Sequence, residues 1–223
     1  MGLLEVAGPI MVGPSSSHTL GALKIARFAY KLMGIPEEVT FVLHGSFALT
    51  YKGHGTDRAL LAGIVGLKPD DTRVKDAFAI AQSYGLKFNF EVSDLGEVHP
   101  NTVLVKAKRG NIYNEVRGSS VGGGAIKINQ INGVDCDLTG EFPTLVILNR
   151  DVPGALRGIL ECITYNIANV YLRRVNALEG LALTIIELDS NIDDETLKKL
   201  RTNKYVLEIY NVKSEEGENL GIQ

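Results

Sequence analysis

The chain has 223 residues, 45% of them hydrophobic and 22% charged, with a formal net charge of −3. That is enough for one large or two modest domains with a real core. There is no basic excess, which argues against nucleic acid and anionic membrane as partners, and no apolar run approaches the roughly 20 residues of a membrane-spanning helix. The start, MGLLEVAGPI, lacks the basic lead and long apolar stretch of a secretory signal, and Val6 stands where a myristoylation pattern requires serine or threonine. Two cysteines, Cys136 and Cys162, are too few for a disulfide framework or a four-thiolate metal site. The expectation is a cytoplasmic protein.

Residues 18–33 read as an amphipathic helix with Leu20, Leu23, Ala26, Tyr30 and Met33 near one stripe, stopped by Gly34 and Pro36. The β-branched run 39–45 predicts a strand. A helix follows over 56–66, capped by Thr56 or Asp57 and closed by Gly66, and another over 74–85. KFNFEVSDLG and NTVLVKAKRG read as strands divided by a turn at His99 and Pro100, and a glycine-rich hairpin spans 111–133. Residues 1–139 therefore form one α/β domain.

TGEFP (139–143) reads as a linker. Beyond it come a strand (TLVILN), a helix after a Pro-Gly turn (DVPGALRGILECITYN), and two strands (ANVYLRRVNA and LALTIIELD). A helix capped by Asp193 or Asp194 and a last strand (VLEIYNV) complete the pattern. Strand, helix, strand, strand, helix, strand over 143–213 is the ferredoxin-like arrangement. The polar tail 214–223 reads as mobile. The fold class is thus α/β (α+β), a mixed sheet with helices followed by a βαββαβ unit. Cys162 falls inside the first helix of that unit as an ordinary buried thiol.

All four histidines lie in the first domain, in SSSHT, LHGS, KGHGTD and VHPN, each with small or polar neighbours and none in an apolar helix stripe. SSSHT and GHGTD both precede predicted helices. Hydroxyls, an imidazole and a helix N-terminus together favour an anion. A cap by Ser16 or Ser17, worth about 0.5–2 kcal/mol, accounts for one serine and not for three plus a histidine.

LNRDVPGALRGI resembles the ACT-domain signature Asp-x-Pro-Gly-x-Leu, here Asp151, Pro153, Gly154 and Leu156. Glycine in the turn lets backbone approach a ligand. The resemblance implies an amino-acid sensor using Asn149, Asp151, Val152, Gly154 and Leu156, and homo-oligomers paired through these domains. GPSSSHT with KGHGTDRA, HPN and SVGGG resembles the β domain, or β chain, of the iron–sulfur L-serine dehydratases (L-serine ammonia-lyases). That resemblance covers nearly the whole chain.

It implies a lyase of amino-acid catabolism that takes water and then ammonia from L-serine to leave pyruvate, which can enter gluconeogenesis. The implied cofactor is a [4Fe–4S] cluster, acting as Lewis acid, with room for a monovalent cation. Clusters are held by thiolates, so this chain would need a separate α chain in a heterodimer. It would wall the substrate site with Ser15, Ser16, Ser17, Thr19, Gly55, Thr56, Asp57, His99 and Asn101. His18 and His54 are put forward as catalytic groups, with the choice of base open. Two other readings compete. One is a non-catalytic amino-acid-binding regulator. The other is a pyridoxal-phosphate dehydratase, with SVGGGA (120–125) as phosphate cradle and Lys52 as the nearest Schiff-base candidate.

Overall fold

A computed structural model describes residues 11–214. The readings of the first ten residues and of tail residues 215–223 lie outside the described residues. The chain divides into two compact units, residues 1–132 and 133–223.

The first unit is organised around α1 (Gly21–Met33), which a π-helical turn at Ser16–Leu20 leads into. The expected stripe is too narrow a description of α1. Ala22, Ile25, Phe28, Ala29 and Leu32 are buried along with Leu20, Leu23, Ala26 and Met33, so the helix is enclosed on most of its circumference. After β1 (Glu38–Leu43) comes a six-residue helix, α2 (Gly45–Thr50), too short to show a periodic pattern and not foreseen. It is followed by α3 (Thr56–Ile64), a 3₁₀ turn at Thr72–Asp76, and α4 (Ala77–Ser83). The expected helix over 74–85 is therefore split.

The strands β2 (Lys87–Val92), β3 (Thr102–Arg109), β4 (Ile112–Gly122), β5 (Ala125–Ile131) and β6 (Val134–Leu138) join β1 in a sheet of order β2-β1-β3-β4-β5-β6. The strand β6 is a further element the sequence reading passed over. The β1–β2 pair is parallel, and β1–β3, β3–β4 and β4–β5 are antiparallel. The glycine-rich stretch is the β4–β5 hairpin turn: Gly122 faces Ala125, and Gly123 and Gly124 take the positive φ values, 61° and 81°, of a tight two-residue turn. A turn of that form joins two strands and is not a phosphate cradle. Lys52 is exposed, with its Nζ 5.7 Å from the centre of the Tyr51 ring.

The second unit has β7 (Thr144–Arg150), α5 (Ala155–Leu160), β8 (Ile167–Asn176), β9 (Leu181–Leu188), α6 (Asp194–Thr202) and β10 (Val206–Val212). Its antiparallel sheet runs β10-β7-β9-β8, the ferredoxin-like order. Leu145, Ile147, Ile159, Ile163, Ile186, Leu188, Ile192 and Leu200 form its core. Asp193 is the cap of α6, its carboxylate accepting from the Thr196 N–H at 2.7 Å. Helix α5 is much shorter than expected, so Cys162 lies beyond it in a turn. That thiol is half-buried and stands 3.4 Å from the Gly158 carbonyl. Ser214, at the start of the expected tail, is tied to Asn191 by two hydrogen bonds.

Helices α1 and α3 touch backbone to backbone at Gly63. A Cβ there would stand 2.2 Å from the Leu23 carbonyl oxygen and 2.9 Å from the Arg27 nitrogen. Alanine gains about 1 kcal/mol in helix propensity, but this backbone contact cannot yield as a side chain would. Gly63→Ala is expected to cost about 1–3 kcal/mol net, read as a lower urea midpoint at unchanged m-value.

Candidate active site

The serine-rich segment closes on itself. Ser15 is extended, and its Oγ accepts from the His18 N–H at 3.1 Å, so Ser15 is the cap rather than Ser16 or Ser17. The Thr19 and Leu20 N–H groups both reach the Ser15 carbonyl, at 2.9 and 3.2 Å. The turn is therefore wider than α-helical, a distortion that recurs at functional sites.

His18 is held on every side. Its Nδ1 is 3.1 Å from Ser17 Oγ, and its Nε2 is 2.9 Å from Ser46 Oγ. Its ring meets buried Phe47 edge-on, with 5.5 Å between centres. The ring of His54 lies 4.9 Å away, tilted by 40°. Thr19 secures that pairing: its hydroxyl donates to the His54 carbonyl at 3.0 Å across 35 residues of sequence. The His54 N–H donates to the Thr50 carbonyl, and the Thr56 N–H to the Tyr51 carbonyl, which set the approach to α3. Burial first, and then the charge of neighbouring His54, hold the His18 imidazole below the ordinary histidine range. At neutral pH it is a free base able to accept a proton.

Neither expected residue caps α3. Gly55 takes the cap position in the left-handed conformation, and the Asp57 carboxylate accepts from the adjacent Arg58 N–H. Thr56 is buried with its hydroxyl unpartnered. Residues 99–101 reach the site through the backbone, since the Pro100 carbonyl accepts from the Ser46 N–H at 2.8 Å. The exposed His99 ring turns inward on its own loop, Nδ1 accepting from the Asn101 N–H at 3.1 Å. Asn101 offers its carbonyl to the Ser120 N–H. His44 stands apart from this group, with Nδ1 accepting from the Leu95 N–H at 3.1 Å. The sequence reading missed Ser46 and Phe47. Their only signal was their place between two histidine motifs, in LHGSFALTYKGHG.

In the second unit, Asn149 is buried and used internally, its carbonyl accepting from Thr184 and its amide donating to the Arg150 carbonyl. The Asp151 carboxylate is paired with Arg174, which was not foreseen. Gly154 takes the left-handed conformation before α5, Val152 is exposed and Leu156 is half-buried. Among the described residues no three His, Cys, Asp or Glu side chains gather in a way that could hold a metal ion. Cys136 lies on β6 and Cys162 in the turn after α5. The described residues do not fit an iron–sulfur cluster.

The serine dehydratase beta chain family model matches residues 9–85, the stretch that carries His18, Ser46 and His54. The chain is 41% identical over 214 residues to the L-serine dehydratase, beta chain, of Peptoniphilus asaccharolyticus, covering 91% of this chain and 96% of that one. It is 37% identical over 213 residues to the probable L-serine dehydratase, beta chain, of Bacillus subtilis (strain 168), with 93% and 96% covered. An L-serine dehydratase of Helicobacter pylori (strain ATCC 700392 / 26695) is 34% identical over 140 residues, which make up 52% of this chain and 31% of that longer one. The chain belongs to the serine dehydratase β-chain family.

Two outcomes test the geometry. Thr19→Val, which keeps the shape and removes the hydroxyl, is expected to cost about 0.5–1.5 kcal/mol and to speed amide exchange at His54 and Thr56. His18, with its folded-state pKa depressed, binds its proton less readily than in the unfolded chain. Stability is then intact above about pH 6.5 and is lost as pH falls through the folded value. His18→Gln is expected to flatten that acid-side loss in denaturant titrations at stepped pH.

Proposed function

We propose that this chain is the β subunit of an L-serine dehydratase and supplies the base side of an active centre completed by an α chain. The observation that carries this is the His18–His54 pair: two imidazoles in contact, one neutral and hydrogen-bonded at both nitrogens. L-Serine loses its α-proton and its hydroxyl as water, and the resulting enamine sheds ammonia to leave pyruvate. His18 takes the α-proton, a contribution typically of about 10²–10⁴ in rate, and His54 neighbours the substrate and sets the proton affinity of His18. The backbone around Gly55 and Thr56, at the start of α3, serves the substrate carboxylate.

The α chain is the source of a [4Fe–4S] cluster in this reading, with Lewis-acid help to the leaving hydroxyl as its chemistry. The Helicobacter relative supports the division of labour, since there the matched segment is part of a longer chain. The second unit is read as an ACT domain that senses an amino acid around Asp151 and Gly154 and pairs with its copy in a second molecule. The enzyme is read as cytoplasmic.

The test is anaerobic reconstitution with the α chain and measurement of pyruvate from L-serine. His18→Ala is expected to lower kcat by about 10²–10⁴. His54→Gln removes the charge that depresses the His18 pKa, so the acid limb of kcat/KM is expected to move to higher pH. Undiminished pyruvate formation by the His18→Ala, His54→Ala double variant would remove both residues from the site.

A further inference from the structure

The geometry points to Ser46 as the positioning residue of His18: its Oγ accepts the hydrogen on Nε2, which leaves Nδ1 as the proton acceptor. The inference rests on the reading of His18 as the base and goes beyond it by naming the nitrogen and what orients it. A neutral imidazole carries one N–H, so one of its two hydroxyl partners must donate and the other accept. In the inferred order, Ser15, whose Oγ accepts the His18 amide, gives its own hydrogen to Ser17 Oγ, 3.3 Å away. The Ser17 hydrogen then goes on to Nδ1 at 3.1 Å, and Nε2–H points at Ser46 Oγ at 2.9 Å. Ser17 first turns its hydrogen off the single Nδ1 lone pair; Nδ1 then takes the α-proton, the C–H electron pair staying with the substrate, and Ser17 Oγ becomes the acceptor of the new N–H. Both nitrogens of the imidazolium then have an acceptor. Ser46 thus plays the part of the third group that orients an imidazole base.

Ser46 is itself fixed by backbone. Its N–H is bound to the Pro100 carbonyl and its carbonyl to the Thr50 hydroxyl at 2.8 Å. Gly45, at φ +55°, leaves no room for a side chain: a Cβ would stand 2.6 Å from the Pro100 oxygen and 2.9 Å from the Pro100 Cα. The His99–Asn101 segment therefore acts on the imidazole through Ser46, not through its own side chains.

The test uses the enzyme reconstituted with its α chain. Ser46→Ala is expected to lower kcat by about 10–100-fold, the range seen when an imidazole loses its outer partner, with KM within about twofold. Its acid limb of kcat/KM should move to lower pH, because the imidazolium loses an acceptor. Ser46→Thr, which keeps the hydroxyl, should hold the wild-type limb. Gly45→Ala, which pushes Ser46 off Pro100, should shift it as Ser46→Ala does. The position of the limb does not depend on how much of a variant folds. A Ser46→Ala enzyme with an unmoved limb, whatever its kcat, would overturn the inference. If His18→Ala is inactive while the Ser46→Ala limb stays put, only the role of Ser46 is lost. If His18→Ala is fully active, the base reading fails with it.

Discussion

The first unit depends on how closely α1 lies against α3. Gly63 has no side chain, so the α3 backbone comes down on the Leu23 carbonyl, and α1 is enclosed on most of its surface. That enclosure fixes the N-terminal end of α1 relative to the loop that enters α3. The Thr19 hydroxyl can then reach the His54 carbonyl, and the two imidazoles come into contact. Interiors are close-packed and transmit small displacements, so the spacing of the histidines follows from the helix crossing.

The site built on this crossing is made largely of short-range contacts among hydroxyls, imidazoles and backbone. Ser15, Ser17 and Ser46 arrange the partners of His18, Phe47 supplies an apolar wall, and Pro100 and Gly45 hold α2 in place. Partial burial and a neighbouring imidazole both disfavour the charged form of His18, the condition a histidine base needs near neutral pH. The serine cluster therefore serves both readings of a segment before a helix: Ser15 caps, and Ser17 stands against the His18 ring.

Much of the architecture was legible because the segments are long and periodic. The order of elements in 144–212 predicts the ferredoxin-like sheet, and the histidine motifs mark the segments that meet. The features that were missed have physical causes. Helix α2 is six residues long, below the length at which periodicity speaks, so Ser46 and Phe47 carried no signal beyond their place between two histidine motifs. Thr56 and Asp57 have capping chemistry, yet the left-handed Gly55 ends the preceding loop and takes the cap position. Helix α5 stops at Leu160 although the apolar pattern continues, and Ile163 enters the core from irregular chain just past the turn at 161–162.

The sequence by itself determined the kinds of groups present: four histidines in small-residue settings, hydroxyls beside two of them, glycines at turns, and one βαββαβ order. Hydrogen-bonding chemistry and hydrophobic period are local properties and can be read along the chain. Tertiary structure alone decided which of those groups meet. It paired His18 with His54, put Ser46 on Nε2, turned the His99 ring toward its own loop and placed His44 elsewhere. Those contacts span up to 51 residues, and they exist because packing of α1, α2 and α3 brings backbones together at distances no local pattern encodes.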